Sequence, residues 1–438
     1  MTPGTIGIYG VVLALTLLAF RVPIAVALGA VSIGGIMLII NPQAGMGIIS
    51  SVPFNFIGNW SLTAVPMFLL MGFVCTTTGL TNGLFQAMRI FLSRMPGGLA
   101  VTSVAACALF ASASGSSVAT ASAMSRIAVP EMLKYKYDPG LACGVIAASG
   151  TLGSLIPPSI LMVLFAIYAE VSIGKMFLAG FLPGIVSALL YIFMIVVRCW
   201  LKPELAGIKI DEKFTRAEKI EAVKNVWPLP VLIFSVLGGI FIGLFSPTEA
   251  GAIGAILALL IALLRRQLTF SALKDAVVFT IIGASGIFAI LIGTLFFTRF
   301  LALSGLPTEL SNLVLSLTGD NPYLIIIGVA IIYIVLGMFI DSIGLMLLTL
   351  PIILPLAIAA DMDLIWFGII VIKLLEIGLV TPPIGLNVYV IKGALGGQVT
   401  LERIFQGVAW FIVMDVVALS LIVVFPALSL YVPTLIMD

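Results

Sequence analysis

The chain has 438 residues, of which 61% are hydrophobic and only 9% are charged. Soluble domains typically carry about 25% charged residues, so this chain has too few charges to cover a water-facing surface. The composition excludes a soluble enzyme and, with a formal net charge of +2, a nucleic-acid-binding protein. Long apolar segments also exclude disorder, so a membrane protein with several spans remains.

Two residue types restrict the possible chemistry. The sequence contains no histidine, which excludes histidine-based acid–base catalysis and histidine-ligated metal centres. Its four cysteines lie in apolar segments without a CxxC spacing. We therefore interpret them as small buried hydrophobic residues rather than as disulfide partners or metal ligands.

Apolar segments that approach the length of a membrane crossing recur along the chain. The first is interpreted as a retained helix, because it has neither a basic leader nor a small-residue cleavage site. The predicted spans are residues 5–20, 23–40, 65–78, 176–201, 228–245, 248–264, 277–297, 323–339 and 407–425. Shorter apolar segments predict helices that break or return inside the membrane, at 99–113, 118–132, 141–148, 156–169, 343–359, 366–374 and 384–390.

A polar segment at residues 202–227 divides the chain nearly in half and carries charges of both signs. The two halves share a Gly-x-x-x-Pro-Pro motif, which begins at Gly153 in the first half and at Gly378 in the second. Because proline is costly inside a helix, the shared motif predicts an internal repeat with one broken helix in each copy.

The predicted organisation follows from this repeat. The first copy is residues 1–201, the linker is 202–227 and the second copy is 228–438. Each copy is predicted to contain a re-entrant hairpin and a broken helix, at about 99–132 and 139–170 in the first and about 323–359 and 364–392 in the second. The first copy is predicted to cross the membrane five times, and its hairpin enters and returns on the same side. Because five is odd, the second copy starts on the opposite side of the membrane and is expected to be inverted. The predicted fold class is an all-α polytopic membrane protein with two inverted repeats, as in elevator-type ion transporters.

The basic residues predict how the protein lies in the membrane. With the linker in the cytoplasm, all but three of the 21 basic residues fall at or near the inner face. The exceptions are Lys175, Arg299 and Lys373. The positive-inside rule therefore predicts a cytoplasmic linker and places both termini outside.

The breaks are the expected functional positions, because irregular backbone inside a membrane must line a cavity or be buried in protein. Residues 112–117 and 149–159 interrupt the first repeat, and residues 337–344 and 378–385 interrupt the second. Free carbonyl and hydroxyl oxygens at such breaks suit a hard cation such as Na⁺. Close packing of small residues and a simple proline kink are the alternatives.

Asp341 stands in the second break where the first repeat has Ser116, and a charge inside the membrane is usually retained for an ion or a proton. The half-helix N-termini that follow the breaks suit an anionic substrate group. Asn387 follows the second break and is expected to face the same cavity.

Three other acidic residues have more ordinary interpretations. Glu376 is three residues after Lys373, so an i,i+3 ion pair between them is expected. Glu249 is expected to cap the start of a helix. Asp415 lies within the last span and has no evident partner in the sequence.

Four motifs resemble, in the same order, the large membrane subunit of tripartite ATP-independent periplasmic (TRAP) transporters. They are SGSSVATASAMSRIAVP, SGTLGSLIPPSILMV, GMFIDSIGLMLLTLPIILP and EIGLVTPPIGLNVYVIKG, and FSPTEAGAIGA is also similar to that family. The resemblance implies Na⁺-coupled uptake of an organic acid by an elevator-like movement, without enzymatic activity. It also implies two partners, a periplasmic substrate-binding protein and a small four-helix membrane subunit, and a location in the bacterial inner membrane.

The resemblance also implies site residues. The Na⁺ candidates are Ser114, Gly115, Ser116, Thr151, Gly153, Pro157, Gly337, Asp341, Ser342, Gly378, Thr381 and Pro382. The substrate candidates are Ser117, Pro158, Ser159, Pro383 and Asn387. The alternative is a stand-alone ion-coupled carboxylate carrier or antiporter of the same superfamily. An intramembrane enzyme and a channel are disfavoured, the first by the absent histidine and the second by two ion-type breaks in repeats suited to alternating access.

Overall fold

A computed structural model describes residues 2–81, 83–208, 215–318 and 321–437. Within these ranges the chain is helical and has no β-strand. The described α-helices are α1 (Pro3–Ala19), α2 (Ile24–Ile39), α3 (Pro42–Ile57), α4 (Ala64–Thr77), α5 (Leu84–Leu92), α6 (Gly98–Ser114), α7 (Ser117–Lys134), α8 (Pro139–Gly150), α9 (Ile160–Tyr168), α10 (Ile173–Leu201), α11 (Arg216–Val226), α12 (Pro228–Phe241), α13 (Pro247–Leu264), α14 (Phe270–Ser304), α15 (Leu306–Thr318), α16 (Pro322–Gly337), α17 (Ser342–Ala359), α18 (Leu364–Val380), α19 (Leu386–Leu395), α20 (Leu401–Val424) and α21 (Ala427–Met437).

Six described helical segments are long and apolar enough to cross a membrane. They are Trp60–Thr77, Ile173–Leu201, Pro247–Leu264, Phe270–Ser304, Ser342–Ala359 and Leu401–Val424. Shorter apolar helices such as α1, with 17 residues, add to these spans. A helix of that length extends about 25 Å at the α-helical rise, close to the thickness of the hydrocarbon layer. The chain is therefore a multi-span membrane protein, which confirms the all-α fold class.

Helix starts recur in the two halves at the same offset as the Gly-x-x-x-Pro-Pro motif. The side chains of Ser116 and Asp341 cap the first turns of α7 and α17, because each accepts a hydrogen bond from a backbone N–H of that turn. Asp138 and Asp363 cap α8 and α18 in the same way. Local capping chemistry thus starts equivalent helices at equivalent positions in the two halves. The residue bounds assigned to the two repeats remain a prediction.

Three details differ from the sequence expectations. The span predicted at 277–297 is part of a longer helix, since nothing in residues 270–304 interrupts α14. The segment predicted to begin at 156 becomes helical only at Ile160, after the cis peptide bond between Pro157 and Pro158. The sequence pattern also does not predict α3, α5 and α15, which are shorter or more polar than the spans.

The hairpins pack around the broken helices. In the first half α6 and α7 contact α8, and in the second half α16 and α17 contact α18. The helix α20 packs along α8 and α18, and α10 packs on α18 and α20, so segments from both halves form one continuous core. The helices α2, α4, α13 and α14 also pack on one another, and buried residues of α4, α13 and α14 belong to the same core. This arrangement brings all four interrupted segments to the middle of the protein.

The described part of the linker contains a short 3₁₀ helix, Pro203–Ala206, and one α-helix, α11, which packs against α5. Thr215 begins this helix: its backbone N–H and its hydroxyl donate to a carboxylate oxygen of Glu218 at 2.6 and 2.9 Å. These hydrogen bonds favour the ionised carboxylate and lower the pKa of Glu218. The linker residues 209–214 lie outside the described residues.

Candidate functional site

The tip of the first hairpin is a tight turn between α6 and α7. Gly115 has φ = 62°, a left-handed conformation that side chains with a Cβ rarely adopt. A Cβ at this glycine would lie 3.4 Å from the Pro158 carbonyl oxygen, so the tip rests on the first broken helix. Within the hairpin, the hydroxyls of Ser114 and Thr120 form a hydrogen bond of 3.0 Å.

The first broken helix is irregular over nine residues. After α8 the chain makes a 3₁₀ turn at Thr151–Ser154 and then runs without regular structure to Ser159. In the described structure no hydrogen-bond donor is paired with the carbonyl oxygens of residues 155–158. Gly153 packs against the first hairpin, since a Cβ there would lie 2.7 Å from that of Ala111.

The interruption of the second broken helix is shorter and is built differently. The helix α18 continues to Val380, a cis peptide bond joins Pro382 to Pro383, and α19 starts at Leu386. The carbonyl oxygens of residues 381–384 also have no donor within the described chain. Its glycine, Gly378, is so close to Gly337 of the second hairpin that a Cβ would lie 2.8 Å from the Gly337 Cα. Each hairpin therefore touches the broken helix of its own half.

Both hairpin tips and both broken helices line one cavity of about 100 Å³. We call it the central cavity. Its lining residues are Gly115, Ser116, Ser117, Val118, Ser154, Ile160, Leu161, Asp341, Ser342, Ile343, Glu376, Leu379 and Leu386. A small cavity whose lining includes serine and carboxylate side chains thus lies at the point where the helices are interrupted.

A second cavity, of about 320 Å³, adjoins the first. We call it the lateral cavity, because it lies between the hairpin tips and the helices α4 and α14. It shares Ser116, Ile160, Asp341 and Ile343 with the central cavity. Most of its remaining lining is apolar, so a ligand in this space meets polar groups mainly at the hairpin tips.

The charged lining of the two cavities is entirely acidic. Asp341 lines both cavities and Glu376 lines the central one, and no lysine or arginine is among their lining residues. Asp341 also caps α17, where its Oδ2 accepts from the Gly344 N–H at 3.0 Å. An anion that enters this space therefore meets two carboxylates and no basic side chain to neutralise them.

Glu376 accepts hydrogen bonds from three serines on three different segments. The hydroxyl of Ser117 donates to Oε2 at 2.6 Å, and that of Ser154 donates to Oε1 at 2.7 Å. Ser342 donates to Oε1 at 3.3 Å. One carboxylate thus connects the first hairpin, the first break and the second hairpin.

The ion pair expected between Lys373 and Glu376 is not formed, and that interpretation is wrong. The Lys373 ammonium instead donates to Asp415 Oδ1 on α20 at 2.5 Å and to Ser187 Oγ on α10 at 3.2 Å. The hydroxyl of Tyr191 donates to the same Asp415 oxygen. The i,i+3 spacing allowed the expected pair, but the packing of α10 and α20 supplies a nearer carboxylate. The same pair gives Asp415 the partner that the sequence did not reveal.

The structure separates the predicted site residues into two groups. Those that line a cavity are Ser114, Gly115, Ser116, Ser117, Asp341 and Ser342. Those at the breaks that do not line the described cavities are Thr151, Gly153, Pro157, Pro158, Ser159, Gly337, Gly378, Thr381, Pro382, Pro383 and Asn387. Asn387 is fully buried, and its Nδ2 donates to the Ala147 carbonyl at 3.2 Å.

Two polar residues that line the central cavity, Ser154 and Glu376, were not among the predicted site residues. A signal for Glu376 was present, since it follows Thr151 at the same offset at which Gly378 follows Gly153 and therefore has the equivalent position of the second break. Its proximity to Lys373 in the sequence suggested the wrong partner. Ser154 has no such signal, because its equivalent in the second half is the apolar Leu379.

A polytopic helical protein whose hairpins and broken helices meet at a central cavity belongs to the class of membrane transporters. A comparison with protein families identifies the transporter family to which the chain belongs. The family described as the tripartite ATP-independent periplasmic transporter, DctM component, matches residues 11–428. The chain belongs to this family, whose members are transporter subunits and not enzymes.

Individual relatives agree with the family. The C4-dicarboxylate TRAP transporter large permease protein DctM of Pseudomonas aeruginosa is 33% identical over 378 residues, which cover 86% of each chain. The sialic acid TRAP transporter large permease protein SiaM of Vibrio cholerae is 30% identical over 399 residues, 91% of this chain and 92% of that protein. The solved structure of the Alcanivorax borkumensis YdaH transporter covers 98% of both chains with a TM-score of 0.65 at 14% identity, which shows a shared fold.

Proposed function

We propose that this chain is the permease subunit for Na⁺-coupled secondary uptake of an organic acid with a carboxylate group. One observation carries the proposal: the cavities between the hairpins and the broken helices are lined by Asp341 and Glu376 and by no basic side chain. An organic anion would be repelled from such a lining unless cations entered with it. Cations that must accompany the anion couple its movement to their own gradient.

The backbone at the two breaks supports the same proposal. Residues 155–158 and 381–384 leave carbonyl oxygens without hydrogen-bond donors in the described structure. Oxygen ligands of this kind suit hard cations. The Na⁺ candidates of both repeats, from Ser114 to Pro157 and from Gly337 to Pro382, therefore remain our proposed ligands for the coupling ion.

The carboxylate class follows from the relatives, whose names specify C4-dicarboxylates and sialic acid. Because the family is one component of a tripartite system, we propose two partners. A periplasmic binding protein would deliver the substrate, and a small membrane subunit of four helices would assemble with this chain. The complex would lie in the bacterial inner membrane, with the linker in the cytoplasm and both termini in the periplasm. The two halves, oppositely oriented, would move the substrate by an elevator-like displacement of the hairpins and broken helices.

The test is uptake into proteoliposomes that contain this chain with the small membrane subunit, with the binding protein outside. Radiolabelled C4-dicarboxylates and sialic acid are offered with an inward Na⁺ gradient or with choline in place of Na⁺. We expect accumulation of one of these acids only with the gradient. Uptake that is unaffected by the replacement of Na⁺ would contradict the coupling. Uptake that needs neither partner would favour the stand-alone carrier.

A further inference from the structure

Glu376 is a buried carboxylate without a cationic partner. It is 1% exposed, and no lysine or arginine forms an ion pair with it in the part of the chain that the structure describes. Charged groups inside a membrane protein are normally paired, because an uncompensated charge at this depth is costly. As an ionised carboxylate, Glu376 therefore calls for a positive charge that no ion pair in the described structure provides.

The nearest candidate cation on the same helix is held away from Glu376. Lys373 is one turn earlier on α18, yet its ammonium is bound to Asp415 at 2.5 Å and to Ser187 at 3.2 Å. Both members of the ion pair are 1% exposed, so the pair is a buried and specific contact. Asp415 thus holds the lysine ammonium in an ion pair on the α20 side, and Lys373 forms no ion pair with Glu376.

When Glu376 is ionised, the hydroxyl groups around it are one hydrogen atom short. Ser117, Ser154 and Ser342 each contact the carboxylate, and the hydroxyl oxygens of Ser117 and Ser154 are also only 2.8 Å apart. These are four contacts between oxygen atoms, and three serines supply three hydroxyl hydrogens. If all three hydroxyls donate to the carboxylate, no hydrogen atom lies between the hydroxyl oxygens of Ser117 and Ser154. The lone pairs of these two oxygens then face each other at 2.8 Å.

The same hydrogen bonds orient the hydroxyl oxygens of the serines so that their lone pairs are available to a cation. A hydroxyl that gives its hydrogen to a carboxylate must direct its lone pairs elsewhere. Ser117, Ser154, Ser342 and Glu376 all line the central cavity, so oxygen atoms of one carboxylate and three hydroxyls converge on one small space. Hydroxyl and carboxylate oxygens are ligands that hard cations prefer.

We infer that Glu376, Ser117, Ser154 and Ser342 form a binding site for a monovalent cation of the Na⁺ type, and that the ion pair of Lys373 with Asp415 keeps this site open. The inference rests on the proposed cation coupling and adds to it a charged ligand that both halves of the protein share. The hairpin tips of both halves contact the same carboxylate. A cation bound there holds the two hairpins against the first break at the same time.

The first test is the variant Glu376→Gln, measured with Na⁺ alone. The amide has the shape of the carboxylate but is uncharged, and its NH₂ group donates where the carboxylate accepted. In the purified full-length chain, NaCl is expected to raise the thermal unfolding midpoint of the wild type relative to choline chloride, because a ligand that binds the folded state stabilises it. For E376Q we expect the half-saturating Na⁺ concentration to rise by at least about tenfold, the loss typical of a hydrogen-bonded charge. Glu402→Gln, an exposed carboxylate at the start of α20, is the matched control and should leave Na⁺ binding unchanged.

The second test uses the lysine as a competitor. In Asp415→Asn, Lys373 loses its carboxylate partner and becomes available to Glu376 one turn away, so Na⁺ binding should weaken by at least about tenfold. Adding Lys373→Met to this variant removes the competitor and should restore the half-saturating Na⁺ concentration to within about threefold of the wild type. A general loss of folding cannot produce this recovery.

The outcomes separate the site from the transport proposal. Normal Na⁺ binding by E376Q would overturn the inference, since that result means that Glu376 is already neutral or does not contact the ion. Equal Na⁺ binding in Asp415→Asn and the double variant would overturn the part assigned to the ion pair. Na⁺ binding that depends on Glu376 while wild-type uptake is indifferent to Na⁺ would support the site and contradict the proposed coupling.

Discussion

The two breaks of this transporter occupy equivalent positions but contribute different chemistry to the cavity. The first break supplies the hydroxyl of Ser154 in a 3₁₀ turn, and Ser116 caps the helix α7 that follows the tip of the first hairpin. The second half supplies the charges: Asp341 has the position equivalent to Ser116, and Glu376 has the position equivalent to Thr151. A nearly symmetrical helical frame thus carries an asymmetrical set of ligands.

The backbone of the breaks is also unequal. In the first half α8 ends at Gly150 and nine residues separate it from α9, with Pro157 and Pro158 buried. In the second half α18 extends to Val380, only five residues separate it from α19, and Pro382 and Pro383 are exposed. Because α18 continues further, Glu376 is on a regular helix and is held in one orientation. The comparison indicates that the second half supplies the carboxylates of the cavity, while the first half supplies serine hydroxyl oxygens.

The largest difference in uptake between equivalent substitutions of the two halves is expected at the hairpin tips. Asp341→Asn keeps a side chain that caps α17 as well as aspartate does. It removes the Asp341 charge from the lining of both cavities and leaves Glu376 in the central cavity. We expect Na⁺-driven uptake to fall by at least about tenfold, since a hydrogen-bonded charge is lost. Ser116→Ala removes a neutral cap and a hydroxyl oxygen at the equivalent position but no charge, so its uptake should fall by a smaller factor than that of Asp341→Asn. Equal losses in the two variants, measured as initial uptake rates in proteoliposomes, would contradict the assignment of the charges to the second half.

A smaller difference is expected where each break touches its hairpin. In Gly378→Ala the new methyl group would lie 2.8 Å from the Gly337 Cα, which is backbone and cannot turn away. We expect a destabilisation of about 1–3 kcal/mol, as for other overpacked sites. The thermal unfolding midpoint of the purified chain is the measurement. The matched control is Gly393→Ala in α19, because a Cβ at that exposed glycine meets nothing within 4 Å. Its midpoint should stay the same or rise slightly, as expected for alanine in place of glycine in a helix.

The smallest effect concerns two equivalent helix starts away from the cavities. The helix α13 begins with a capping box, in which Ser246 and Glu249 satisfy each other's backbone N–H groups, as expected for Glu249. The helix α2 begins after Pro23 without a side-chain cap. Ser246→Ala should therefore lower the free energy of unfolding by about 1 kcal/mol and leave uptake unchanged. A change in the Na⁺ dependence of uptake would show that this start has a role beyond the stability of α13.

Much of the fold was predictable because a membrane imposes strong rules on the chain. Backbone groups must be paired inside hydrocarbon, so long apolar segments become helices, and proline and glycine mark the interruptions. The hairpin turn near Gly115 and the two proline pairs were found in this way. The shorter helices α3 and α5 were not, since their apolar content does not distinguish them from loops at the membrane surface.

The sequence by itself determined the class of protein, its helical spans, the positions of the breaks and the family. Only the tertiary structure decided which charges meet which partners. Spacing along α18 makes Lys373 and Glu376 neighbours, but α10 and α20 bring Ser187 and Asp415 to the lysine and leave Glu376 to serines from both hairpins and the first break. The physical reason is that a helix fixes the neighbours of a side chain only on its own surface. Its partners across a packed interface depend on helices that can be far away along the chain.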